Sequence, residues 1–514
     1  MGETATVSAA PSTSRPGAGA SVDAVVVGSG PNGLAAALTL AEAGLSVTVI
    51  EGAQTVGGGC RTDTTSAPGF RHDECSTVQT LVLASPFFRR AAFDGLRQRL
   101  RQPEFPFAHP LDGGRAAVVH RSVDQTAELL GADAARYRRL LGPLAFHADD
   151  ITEEVLSPLR SIPRHPLSLA RFGIPGLLPM DVLARPLRTD EGRAILAGVG
   201  AHSMNRLSAP LTGAFGLVLL MSAHAYGWPV VEGGSVAISD ALVAELEKNG
   251  GAVTTGQWVT SLRELPPATA VLLDTSPKGL VDLAGSQLPL AYARALRRFR
   301  YGPGVFKLDW ELSGPVPWSA EECRRAGTVH VGGTFAEVAA SEAATVARRH
   351  AECPFCLIVQ PGVADPTRAP AGRDTLWGYC HVPSGSTQDM TTAVEDQIER
   401  FAPGFRDLVL ARSTRTAADE ERLNPNYVGG DIAAGAATLR QTLFRPTVRW
   451  NPYRTPLDGV YLCSASTPPG GGVHGVCGMY AARTVLHDHF GGPPPFRRGG
   501  AAEAVAGGGR RRRP

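Results

Sequence analysis

The chain has 514 residues, 43% of them hydrophobic, and a formal net charge of +2. At roughly 150 residues per domain this length carries about three domain-sized units, or two domains with insertions. Gly and Pro together stay below the roughly 25–30% share of a low-complexity chain, so wholesale disorder is excluded. The charge is uneven, because residues 491–514 hold six Arg against one acid and leave a slightly acidic body. Such a body makes a poor nucleic-acid surface. The eight Cys are scattered rather than spaced as a disulfide framework, and the first twenty residues hold no apolar signal segment. A reducing, cytoplasmic setting is the expectation.

Residues 1–20 read as a disordered leader and 491–514 as a disordered basic tail. Residues 23–27 (DAVVV) form an apolar β-branched run ending in glycine, the pattern of a buried strand. Residues 34–43 are strong helix formers closed by Gly44, and 47–50 (VTVI) predict a second strand ending at Glu51. Together these make a βαβ unit. Beyond Phe88 the pattern is helical and proline-punctuated up to about Trp228. Residues 207–231 carry no Asp, Glu, Lys or Arg, but Pro210, Gly213, Gly216, Gly227 and Pro229 interrupt them. They predict a buried or surface-docking helix, which leaves peripheral membrane contact open. Residues 235–248 predict a helix, 253–259 and 271–273 strands, and 301–383 a mixed, turn-rich region. A helix at 394–401, a strand at 460–463 and a helix at 479–487 complete the order.

Gly28-Ser-Gly30-Pro31-Asn32-Gly33 follows the first predicted strand and opens the first helix, and Glu51 stands 23 residues after Gly28. That context makes the GxGxxG a dinucleotide site. Gly28 permits the tight turn, Gly30 lets backbone approach a pyrophosphate, and Gly33 lets helix and strand pack. The helix N-terminus offers free N–H groups to phosphate. Glu51 suits the ribose hydroxyls. A second glycine turn, Gly57-Gly58-Gly59-Cys60-Arg61, suits another approach of backbone to a longer cofactor, with Arg61 at the pyrophosphate or flavin. The later Gly470-Gly-Gly472-Val473-His474-Gly475 follows two prolines and lacks a strand–acid element. It reads as a loop and helix N-terminus facing an electron-rich ring.

These segments, with WPVVEGGS at 228–235, YGPGVFKLDWELSGPVPW at 301–318, ERFAPGF at 399–405, NPNYVGGD at 424–431 and YLCSASTPPGGGVHGVCGMYAAR at 461–483, resemble the phytoene-dehydrogenase-like flavoproteins of the amine-oxidase-type superfamily. The resemblance implies an α/β fold. A discontinuous Rossmann-like FAD-binding domain would comprise 21–84, 229–300 and 435–490, and an α+β substrate domain 85–228 and 301–434. It implies FAD held by Gly28, Gly30, Pro31, Asn32, Gly33, Glu51, Gly58, Gly59, Arg61, Val259, Gly472, Val473, Gly475 and Val476. Val259 would lie in the returning strand with its backbone near adenine. Many relatives carry a carboxylate before the C-terminal loop. Here Cys463-Ser464-Ala465-Ser466 has none, and Ser464 or Ser466 stands in as a hydroxyl partner.

His474 is the candidate catalytic residue, a hydrogen-bond donor or base near the flavin, with His72 and Asp73 weaker candidates of the same kind. Cys353-Pro-Phe-Cys356 lacks the second ligand pair of a zinc site, and no metal is expected. The function implied is an FAD-dependent oxidoreductase that dehydrogenates an apolar, polyene- or isoprenoid-like small molecule. The alternatives are a flavin-dependent isomerase or saturase, or a non-catalytic lipid-binding protein of the same fold. The sequence sets no oligomeric state.

Overall fold

The computed structural model describes residues 21–64, 67–158 and 162–496. The expected leader, and all but the first six residues of the expected tail, lie outside them.

Five parallel strands make the first sheet, in the order Val460–Leu462, Ala268–Leu273, Val22–Val27, Val47–Ile50 and Ala252–Thr254. The strand Val22–Val27 has little polar character because both its faces are covered. Ala24 and Val26 pack with Leu34, Leu38, Ile238 and Val485. Val25 and Val27 pack on the other face with Leu280 and Leu296. The helix Pro31–Glu42 begins three residues before its expected start, since proline suits a first helical turn. Gly44, at φ +83°, closes the turn beyond it. This helix lies so close to the C-terminal helix Val476–His489 that a Cβ on Gly478 would strike the carbonyl oxygen of Asn32.

The returning strand is shorter than expected. It ends at Thr254, because Gly256 turns the chain at φ +70°. Val259 therefore sits in the loop after the strand.

The second sheet has seven strands, in the order Val409–Arg415, Gly304–Leu312, Asp374–Val382, Cys356–Val359, Ala326–Val331, Phe105–Leu111 and Arg115–Val119. All neighbours are antiparallel except Ala326–Val331 and Phe105–Leu111. The hairpin Phe105–Leu111/Arg115–Val119 corrects the helical expectation for this region. Pro106 and Pro110 argue against a strand flanked on both sides. The turn Asp112-Gly113-Gly114, with both glycines at positive φ, nonetheless returns the chain on itself.

One face of this sheet packs Phe107, Leu357 and Trp377 with Leu196, Leu217 and Leu220 of the helices Asp190–Ala201 and Thr212–Ala225. The other face packs Phe306, Leu308 and Ile358 with Val394 and Ile398 of the helix Thr391–Phe401. The uncharged stretch of the sequence is thus mainly a buried helix of this layer. No described helix is long and apolar enough to cross a membrane.

Candidate cofactor and substrate site

A cavity of about 1090 Å³ runs from the carboxyl ends of the parallel strands to the inner face of the second sheet. Crevices of this kind open where strand order reverses in a parallel sheet, and here Val22–Val27 has neighbours from both directions. Gly28, Gly30, Pro31, Asn32, Glu51, Gly58, Gly59, Arg61, Val259, Ser466, Gly472, Val473 and His474 all line it. Residues separated by more than 400 positions thus share one wall.

Gly33, Gly475 and Val476 do not line the cavity and act behind it. A Cβ on Gly33 would meet the Gly28 carbonyl oxygen and lie 2.9 Å from Asp274 Oδ2. Gly475, at φ +67°, is the N-cap of Val476–His489, and Val476 is fully buried in the core beneath.

Glu51 is held in place from both sides. Its Oε2 accepts from the Ser29 N–H at 2.8 Å and the Ser29 hydroxyl at 2.6 Å, and its Oε1 accepts from the Ala53 N–H at 2.8 Å. Arg61 Nη2 lies 3.4 Å from Glu51 Oε1 and donates to the Thr55 carbonyl at 2.9 Å. Both side chains remain on the cavity wall.

Asp274 was not singled out by any sequence pattern. It directly follows the strand Ala268–Leu273, lines the cavity and accepts the Gly33 N–H at 2.9 Å through Oδ2. Burial, with the nearby charge of Glu51, pushes its carboxyl up to about 7, against the pull of the Gly33 N–H. An acid that keeps its proton longer in the folded state stabilises the fold at low pH, and this contribution is lost as pH rises through about 7. Asp274→Asn is therefore expected to flatten the decline of stability between pH 3.8 and about 7. Denaturant midpoints across that range measure it, and an unchanged slope would contradict the assignment.

Arg445 is a second residue without a sequence signal. It lines the cavity beside the C-terminal loop, and Nη2 donates to the Ala434 carbonyl at 2.8 Å. Its Nε is buried without a partner among the described residues, as are Asn32 Oδ1 and Thr275 Oγ1 on the same wall.

His474, the candidate catalytic residue, lies on the cavity wall and is hydrogen-bonded within its own loop. Its Nδ1 accepts from the Val476 N–H at 3.0 Å, so Nε2 carries the proton and faces the Gly470 carbonyl at 3.1 Å. Both ring nitrogens face the backbone of their own loop. Burial lowers its pKa to about 4. Its contribution to stability is complete above its ordinary value of 6.5 and is lost as pH falls toward 4. His474→Gln is expected to reduce the loss of stability over that interval, read from denaturant midpoints at its two ends.

His72 and Asp73 lie away from the cavity wall. The Asp73 carboxylate pairs with Arg368 at 2.9 Å and accepts from Ser235 N–H at 2.8 Å. His72 Nδ1 is 2.9 Å from Thr375 Oγ1. Cys353 is exposed while Cys356 is buried within a strand opposite Cys380. Among the described residues no group of His, Cys, Asp or Glu could hold a metal ion.

Comparisons with known proteins agree with this architecture. Residues 26–85 match the model of the NAD(P)-binding Rossmann-like domain family. The chain is 26% identical to the rat pyridine nucleotide-disulfide oxidoreductase domain-containing protein 2, across 91% of this chain and 93% of that protein. It is 23% identical to a lycopene-forming phytoene desaturase of Paracoccus sp., across 89% and 96% of the two chains. Among solved structures, an oxidoreductase from Methanosarcina mazei superposes with a TM-score of 0.61 at 16% identity, covering 90% of this chain and all of that one. A putrescine oxidase variant gives a TM-score of 0.58 at 17% identity, covering 91% and 99%. The fold is a mixed α/β one, with a Rossmann-like unit and a second sheet, shared with these two solved structures.

Proposed function

We propose that this chain is an FAD-dependent oxidoreductase that dehydrogenates an apolar, polyene- or isoprenoid-like small molecule. The observation that carries the reading is one continuous cavity, which joins a dinucleotide loop to an apolar sheet face. Segments 21–84, 229–300 and 435–490 would form the cofactor unit, and 85–228 with 301–434 the substrate unit.

The residues present fit FAD. A Cβ on Gly30 would lie 2.5 Å from Asp274 Oδ2, and one on Gly58 only 3.0 Å from Gly30 Cα, so the two glycine turns pack against Asp274 and each other and present bare backbone to the cavity. Unpartnered polar atoms of Asn32, Thr275 and Arg445 border it.

Glu51 would hold the ribose hydroxyls, and the N-terminus of Pro31–Glu42 the pyrophosphate. The loop Gly472–His474 would lie against the ring, with Arg445 as the nearby cation. When bound, FAD supplies the hydride acceptor. The chain's part is to bind the substrate beside it, orient the reacting C–H bond and exclude water. Trp377, Leu357 and Val359 form apolar wall for that purpose. The likeness to a lycopene-forming phytoene desaturase supports an apolar substrate and a dehydrogenation.

Heat release of the small molecule from purified protein, followed by chromatography and mass measurement, tests the cofactor. FAD at about one per chain is expected. Release of NAD(P) alone would sink the reading.

A further inference from the structure

The far half of the cavity holds a polar point that a purely hydrocarbon ligand would leave unused. His202 and Ser203 follow the helix Asp190–Ala201 and line the cavity. His202 Nε2 lies 3.0 Å from Nε2 of His330, which is fully buried behind it. Gly198 makes this approach feasible, because a Cβ there would lie 2.6 Å from His330 Nδ1.

The protons can be placed by elimination. His330 Nδ1 is buried without a partner. Burying an unpaired acceptor is easier than burying an unpaired N–H donor. His330 therefore carries its proton on Nε2 and donates it to Nε2 of His202. That leaves the His202 proton on Nδ1, and among the described residues the side chain of His202 makes no hydrogen bond besides the one to His330. Beside it, Ser203 is 4% exposed and its hydroxyl is also unpartnered.

The next residue, Met204, holds φ +50°, and Leu211 on the same wall holds φ +71°. Left-handed backbone at bulky residues concentrates where surrounding structure fixes a functional geometry. Of the histidines facing the pair, His381 holds the buried Glu342 carboxylate at 2.8 Å, and neither Glu342, His381 nor His109 lines the cavity.

We infer that His202 and Ser203 form a recognition point for an uncharged oxygen acceptor, a carbonyl or hydroxyl, on an otherwise apolar substrate. His330 positions His202 from behind. The inference rests on reading the far half of the cavity as the substrate site, and it deepens the proposed function by giving the substrate one neutral polar group. A site built to donate hydrogen bonds discriminates against ligands lacking the acceptor, because its own donors would stay buried and unpaired.

Equilibrium dialysis of the full-length protein as purified tests it, with 2-dodecanone, n-dodecane and dodecanoate as probes. The double variant His202→Phe/Ser203→Ala is expected to bind the ketone roughly tenfold more weakly, while dodecane holds or improves. Wild type is expected to bind dodecanoate more weakly than the ketone. As a second readout, the infrared carbonyl band of bound 2-dodecanone should lie lower in wild type than in the variant. Equal ketone affinity in both proteins, parallel weakening of ketone and alkane, or preference for dodecanoate would each overturn the assignment. Flavin absorbance is recorded on the same samples. Its absence would sink the flavoenzyme reading while leaving the ketone preference to stand or fall separately.

Discussion

With FAD bound as proposed, Gly33→Ala is expected to yield a protein that no longer retains it and is less stable by roughly 3 kcal/mol. The reason is backbone. The added methyl would meet the Gly28 carbonyl oxygen, Asp274 Oδ2 at 2.9 Å and Asp274 Cβ at 3.0 Å. Gly28 directly follows the strand Val22–Val27 and Asp274 the neighbouring strand Ala268–Leu273, so neither can retreat without moving the sheet. The helix Pro31–Glu42 would have to lift, and its N-terminal N–H groups would leave the phosphate position. The A280-normalised flavin absorbance after gel filtration measures the first effect and urea unfolding the second. Full flavin retention in the variant would show that the close approach is not required.

Arg368→Met is expected to destabilise by roughly 3–5 kcal/mol, the cost of leaving buried charges unpaired. Arg368 and Asp73 are both fully buried. The guanidinium reaches Asp73 at 2.9 Å, Asp365 at 2.8 Å and the Val231 carbonyl at 3.0 Å. Asp73 belongs to the hairpin after the second glycine turn, and Val231 precedes the helix Val236–Lys248. Asp365 lies between strands of the second sheet and also accepts the Gly233 N–H at 2.7 Å. One side chain therefore joins the short hairpin of Asp73, the strand before the helix Val236–Lys248 and a connection of the second sheet. Arg368→Lys should recover little, since a single ammonium cannot reproduce the planar fork. Denaturant unfolding measures both variants, and a loss below about 1 kcal/mol for Arg368→Met would contradict the account.

What the sequence revealed was local. Gly28, Gly30, Gly33 and Glu51 lie within one βαβ unit, so their spacing alone encodes the turn, the helix start and the acid. Asp274 meets Gly33 across 241 positions, and Arg368 meets Asp73 across 295. No spacing rule joins such partners, because the sheet order that brings them together is a tertiary property. His202 and His330 are likewise joined only by packing of a helix on the second sheet. The composition of Phe105–Leu111, with its two prolines, opposes a strand, and the cue to the hairpin lies in the Asp-Gly-Gly turn beyond it. His474 is legible in the sequence as a member of its loop, but its hydrogen bonds to Gly470 and Val476 are not.

The most direct test of the account is the absorption spectrum of purified protein under nitrogen, before and after dithionite. Oxidised flavin bands that bleach on reduction and return on admitting oxygen are the predicted result. A protein that stays colourless even after incubation with FAD would contradict the central claim.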